Sequence, residues 1–206
     1  ATQRGTERRI ETDMAVHSAG RVPEIDDLDL AAAGVERGKG GVRVNEFLQS
    51  VSNPAVYAGG DAAASGPPLT PKASHDVEVL VTNLLEGNRR TPNYDGIASA
   101  VFTVPPLAST GLTEDAAREK NLKFRTSWQD TSGWFNTRRV GETTSGFKVL
   151  TAEDTGRILG AHLLGPHADE VINVFAVAIR LGIPAAALQD VLFAYPTNGS
   201  DVRLML

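Results

Sequence analysis

Cysteine is absent from the 206 residues, which excludes structural disulfides, thiolate metal sites and cysteine nucleophiles from this chain. Basic residues are in deficit: 20 Lys and Arg against 25 Asp and Glu give a formal charge of -5, short of the positive field that a phosphate backbone needs, so no nucleic-acid partner is expected. No window approaches the roughly 18 apolar residues of a membrane span, and the polar start Ala1 to Ile10 does not have the form of a signal sequence. A soluble, cytoplasmic protein with no membrane partner is the expectation. The spacing G-x-G-x-x-G does not occur; Gly38-Lys39-Gly40-Gly41 and Gly59-Gly60 do not supply it. Ser18, Ser74 and Ser109 lie outside any G-x-S-x-G elbow, and His17, His75, His162 and His167 are scattered without a ligand-like pair, so neither a hydrolase triad nor a metal site is expected. What is present, 41% hydrophobic and 22% charged side chains, suits one or two globular domains with a real core.

Local patterning predicts the elements. Arg8 to Val16 reads as a short strand before the Gly20 turn, Val42 to Leu48 as a second with period-2 character, and Pro54 to Ala58 as a third ending at Gly59-Gly60-Asp61. A helix follows with Thr70 as N-cap, Pro71 in its first turn, an apolar stripe through Ala73, Val77, Leu80, Val81, Leu84 and Leu85, and Gly87 as its stop. Turn formers cluster at Thr91 to Gly96, which places a domain boundary near Asp95. Beyond it, strand Ala100 to Val104, a helix capped by Thr113, strands Leu122 to Trp128, Phe147 to Thr151 and Ile158 to Leu164, and a long helix from about Asp169 to Leu181 are predicted. The fold class is α+β: an antiparallel sheet with helices packed on one face, preceded by a partial α/β segment. Trp128, Trp134 and Phe135 are read as packing within the meander rather than as a base-stacking platform, because only Arg138-Arg139 accompanies them.

One carboxylate stands out. Asp61 follows two glycines at a strand end, where the backbone allows close approach and the carboxylate can accept hydrogen bonds from sugar-like hydroxyls. The helix start at Thr70-Pro71 offers free N–H groups and the positive end of a dipole.

In order and spacing, Ala19-Gly20-Arg21-Val22-Pro23, Asn53 to Ala62 and Leu69-Thr70-Pro71-Lys72-Ala73 resemble the second flavin segment of the pyridine nucleotide-disulfide oxidoreductases, the group of glutathione reductase, dihydrolipoamide dehydrogenase and mercuric reductase. Val101 to Glu114 and Gly156 to Gly165 are similar to that family's C-terminal interface domain. The resemblance implies a C-terminal fragment: residues 1–18 the tail of the nicotinamide-binding domain, 19–95 the end of the FAD-binding domain and 96–206 the dimerisation domain. It implies FAD and NAD(P)H as cofactors of the full-length protein, with electrons passing to a disulfide or other small-molecule acceptor, and a homodimer through the C-terminal domain. Gly60, Asp61, Thr70, Pro71, Lys72 and Ala73 are the implied cofactor-binding residues, Asp61 holding the ribityl chain. Complete family members carry a His-Pro-Thr motif with a downstream Glu near the C-terminus. Here Tyr195-Pro196-Thr197 stands in its place, and Asp201 differs from the Glu in spacing and length. A phenol titrating near 10 is no match for an imidazole near 6.5 as a neutral-pH proton shuttle, so Tyr195 is the candidate catalytic residue and ordinary disulfide reduction is in question. A second reading treats the chain as a non-catalytic dimerisation module unable to hold FAD alone.

Overall fold

The computed structural model describes residues 2–3, 5–7 and 9–206. Two hairpins come first, β1 (Thr2–Gln3) with β2 (Thr6–Glu7) and β3 (Arg37–Gly38) with β4 (Gly41–Val42). A 17-residue helix, α1 (Thr70–Glu86), closes this part of the chain. The remainder runs β5 (Ala98–Val101), β6 (Leu107–Gly111), α2 (Glu114–Glu119), β7 (Phe124–Asp130), α3 (Phe135–Arg139), β8 (Gly146–Ala152), β9 (Ile158–Leu164), α4 (Ala168–Leu181), α5 (Ala185–Gln189) and α6 (Val202–Met205). Among the described residues no helix is long and apolar enough to cross a membrane.

The N-terminal part departs from its sequence pattern. Arg8 lies outside the described residues, and Arg9 to Val16 forms no strand but runs exposed. The predicted strands at Val42 to Leu48 and Pro54 to Ala58 shrink to β4 and the single bridges Val44–Ser50 and Gln49–Tyr57. Apolar alternation makes a strand only where a neighbour supplies the ladder, and here the segments find only a two-residue hairpin and isolated bridges, Val42 to Ala63 among them. A small core of Ile25, Val35, Val42, Ala58 and Ala63 holds them together.

Helix α1 is turned over relative to its apolar pattern. Its buried residues are Lys72, Asp76, Val79 and Asn83, whereas Val77, Val81, Leu84 and Leu85 are 57%, 48%, 60% and 80% exposed. The inward face is polar because it must satisfy loop backbone: the Asn83 amide donates to the carbonyls of Phe47 and Arg90 and accepts from the N–H groups of Arg89 and Arg90. Geometrically Leu69, not Thr70, is the N-cap, since Thr70 is already helical; Gly87, at a φ of 81°, ends the helix as predicted.

The C-terminal part follows its sequence closely. Five antiparallel strands line up in the order β5-β6-β9-β8-β7. Alternation sends Phe147, Val149, Ala161 and Leu163 to one face, where α4 covers them with Val171, Ile172, Phe175 and Ala178. The opposite face carries Lys148 and His162 side by side. Helix α2 stands over one end of that second face, so the helices are not confined to one side: Glu114 accepts from the Thr126 hydroxyl at 2.9 Å and lies 3.4 Å from Lys148 Nζ. The Thr126 hydrogen bond, helped by Lys148, holds the Glu114 carboxyl below the usual carboxylate range. Thr113 caps α2, its hydroxyl accepting from Ala116 N–H at 3.2 Å. Strand β6 and the short helices α3, α5 and α6 have no counterpart in the sequence prediction.

Candidate functional site

The site is built on one tight turn. Gly59 leads into a 3-10 turn, Gly60–Ala62, that lies flat on α1. A Cβ on Gly59 would stand 2.7 Å from Leu80 Cδ1, and Gly60 has a φ of +60° with Ala73 Cβ 3.1 Å from where its own Cβ would be. Only glycines let this turn touch the helix. Asp61 therefore projects away from α1, 46% exposed in its side chain, and accepts from the Arg21 guanidinium at 2.6 Å. Arg21 also donates to Pro68 O at 3.3 Å. Between them opens a cleft of about 320 Å³ lined by Arg21, Lys39, Gly40, Gly60, Asp61 and Ser65, among others. Two cations, one carboxylate and walls of glycine and alanine suit a polyol-phosphate chain, and the volume is at the lower end of the ~300–1,000 Å³ range of ligand sites. The residues present fit one segment of a dinucleotide.

Behind the turn sits a buried ionic cluster. Lys72 Nζ lies 2.7 Å from Asp76 Oδ2, the side chains 1% and 0% exposed. Lys72 donates to Gly60 O at 2.9 Å and to Ser65 Oγ at 3.3 Å, and Asp76 Oδ2 accepts Gly60 N–H at 2.8 Å. Tyr94 donates to Asp76 Oδ1 at 2.8 Å, and its ring centre is 5.6 Å from Lys72 Nζ. Burial, with the Asp76 carboxylate alongside, pushes the Tyr94 phenol up to about 12. Because the folded value exceeds the ordinary ~10, this contribution to stability is intact below about pH 10 and is lost as the pH rises through about 12. An ultraviolet difference titration of the protein against Tyr94→Phe should isolate a phenol ionising near 12; ionisation at the ordinary value would contradict the buried placement.

The first turn of α1 presents few groups. Pro71 has no N–H and the Ala73 N–H is taken by Leu69 O at 3.0 Å, which leaves the N–H groups of Thr70 and Lys72. Pro71 and Lys72 line a second groove, of about 480 Å³, between α1 and α4 with His75, Asn93, Ala176 and Arg180. Gly60 and Asp61 thus share one cleft and Pro71 and Lys72 another, while Lys72 turns its ammonium inward rather than toward a ligand.

Tyr195 lines neither. It is 80% exposed on the segment between α5 and α6. Thr197 and Ser200 form a capping box just after it, and Asn136 of α3 donates to Thr197 O at 3.0 Å and to Asp201 Oδ2 at 2.9 Å. Asp201 serves this anchor, and burial raises its carboxyl. The groups that pattern alone misses are Arg21, 40 residues from its partner Asp61, and the pair Asp76 and Tyr94. Among the described residues no group of His, Asp and Glu could hold a metal ion.

Two family profiles match the chain: one described as pyridine nucleotide-disulphide oxidoreductase over residues 1–76, and that family's dimerisation domain over residues 97–205. A Staphylococcus aureus protein described as an uncharacterized 19.7 kDa protein in the mercuric resistance operon is 50% identical over 180 residues, covering 87% of this chain and 100% of its own length. Mercuric reductase of Lysinibacillus sphaericus is 31% identical over 98% of the chain, and dihydrolipoyl dehydrogenase 2 of Arabidopsis thaliana 31% over 97%. The chain spans only 37% and 39% of those two proteins. Among solved structures, the Cu(II) complex of a mutant of the HOCl-induced flavoprotein disulfide reductase RclA from Escherichia coli superposes with a TM-score of 0.79 at 27% identity, over 91% of this chain and 43% of that one.

Proposed function

The chain belongs to the pyridine nucleotide-disulphide oxidoreductases, and we propose that it forms the closing part of the FAD-binding domain and the dimerisation domain of an FAD-dependent, NAD(P)H-linked oxidoreductase. Residues 19–95 are then the flavin-domain portion and 96–206 the dimer-forming portion, with 1–18 the end of a nicotinamide-binding domain. The two separate cores, on either side of the Asp95 turn, support that division. The observation that carries the reading is the Asp61 carboxylate, held by a glycine turn at the mouth of a cationic, small-residue cleft.

In this reading Asp61 accepts hydrogen bonds from the ribityl hydroxyls, and Arg21 must swing from Asp61 to a ligand anion. Gly60 gives the ligand room. Thr70, Pro71, Lys72 and Ala73 form the positive end of α1, which meets the ligand through the two open N–H groups, those of Thr70 and Lys72, suited to the pyrimidine side of a reduced flavin. Bound there, the flavin supplies a two-electron store between nicotinamide and a disulfide or other small-molecule acceptor. Tyr195, exposed on an anchored loop, lines the partner subunit's site in a homodimer, orienting an acceptor that needs no imidazole. A cytoplasmic setting accords with a chain free of cysteine.

The experiment is a titration of the purified chain with FAD, followed by flavin fluorescence, beside Asp61→Ala. The expected outcome is weak, reversible binding that falls about 10-fold or more in the variant, the loss of hydrogen bonds to a charged group. The second reading, a dimerisation module that cannot hold FAD alone, is favoured by the cleft's small volume and by the bare apolar face of α1. A chain that sediments as a dimer yet shows no Asp61-dependent FAD binding would establish it in place of the first.

A further inference from the structure

The Lys72–Asp76 pair is an expensive thing to bury. Two charges at 1% and 0% exposure regain by attraction little more than desolvation takes away, so their place in the protein is read from what they hold. They hold one residue. Asp76 takes the N–H of Gly60 and Lys72 takes its carbonyl, so both peptide groups flanking this Cα are fixed from α1. The next residue is Asp61. The same ammonium reaches Ser65 Oγ, on the other side of the cleft, where Gly66 approaches so closely that a Cβ would stand 3.1 Å from Lys72 Cε and from the Tyr94 ring. Tyr94 completes the unit by occupying the second oxygen of Asp76.

Resting on the flavin reading above, we propose that Lys72, Asp76 and Tyr94 are a positioning unit that sets the Asp61 carboxylate and the Ser65 wall for a hydroxylated flavin chain. None of the three is a ligand by its side chain. The Lys72 side chain acts on the cofactor site through Gly60 and Ser65, and a residue of similar length without charge cannot replace it.

The test uses the full chain as Lys72→Met/Asp76→Leu, which removes both charges together so that neither is left buried alone, with Tyr94→Phe as a milder second variant. Circular dichroism establishes that each is folded. Amide hydrogen exchange then reads the clamp without any cofactor: exchange at Gly60, Asp61 and Ala62 is expected to rise about 10-fold or more in the double variant and less in Tyr94→Phe. FAD titration reads its use: the double variant is expected to lose as much affinity as Asp61→Ala, and Asp61→Ala added to it is expected to cost less than about 2-fold more, because coupled residues are non-additive. Unchanged exchange in both variants would overturn the clamp. Faster exchange with unchanged FAD affinity, while Asp61→Ala still weakens binding, would overturn the positioning role alone. Absence of Asp61-dependent FAD binding in the unaltered chain would overturn the flavin reading and this inference with it.

Discussion

Replacing Phe175 by Ala is expected to cost the C-terminal unit about 3–5 kcal/mol. Phe175 is 0% exposed in the middle of α4 and faces the sheet among Val149, Ala161, Leu163 and Ile172, all of which belong to the same buried cluster. Truncation removes the transfer free energy of a full aromatic side chain and leaves a cavity that the close-packed interface of α4 with the five-stranded sheet collapses only partly to fill. A domain of this size has about 5–15 kcal/mol in all, so a fall in melting temperature on the order of 15–30 °C follows. Urea unfolding monitored at Trp134, whose ring lies 5.9 Å from that of Phe147 in the same core, measures it directly. A change below about 1 kcal/mol would contradict the packing, since that is the cost of an ordinary surface substitution or less.

Gly160→Ala should damage the same unit by a different route. A Cβ on Gly160 would lie 2.0 Å from Leu112 O, because the chain leaving β6 crosses directly over β9 on its way to α2 and is tied there by Leu112 N–H donating to Leu159 O at 2.8 Å. The obstacle is backbone, which has no rotamer to move into, so the loss is placed at about 3 kcal/mol or more, at or beyond the top of the usual range for overpacking. Gly133→Ala is the control: nothing stands within 4 Å of its Cβ position, and a change within about 0.5 kcal/mol of zero, or a small gain, is expected there. Equal denaturation midpoints for the two variants would show that the crossing is looser than described.

These two positions also show where sequence was informative. Strand β9 and helix α4 were legible nearly to the residue because their alternation and their wide apolar face are satisfied by each other within one contiguous stretch. The Thr113 cap was legible because capping is local. Strand β6 was not: Leu107-Ala108-Ser109-Thr110-Gly111 has a Ser and a Thr where a strand would show larger apolar residues, and its identity comes from central pairing with β5 and β9. Helix α1 was legible in extent but not in orientation. Its hydrophobic residues mark the side that this chain leaves bare, and its inward side is chosen by loop carbonyls and by a buried ion pair, neither of which periodicity reports.

At the site the same division holds. Gly60 and Asp61 are marked by an unusual local run, Gly59-Gly60-Asp61 at the end of an apolar segment. Arg21, Asp76 and Tyr94 are ordinary residues in sequence, made significant by contacts that span 16 to 40 positions. The helix start marks Lys72 through its backbone N–H, while the direction of its ammonium, into the interior, is not readable from sequence.

The two cores fix how the chain comes apart. The cluster around Ile25, Val35 and Val42 is small and shares no member with the one around Phe175, so the halves are separate cooperative units joined through the Tyr94 to Ala98 segment and the Arg180 hydrogen bond to Asn93 O. The smaller one is expected to open first, below the free energy of the sheet, so heating is expected to give two transitions, and the fall in melting temperature expected for Phe175→Ala is that of the larger unit. The turn that carries Asp61 belongs to the unit that opens first, so the candidate site is lost while the larger half remains folded.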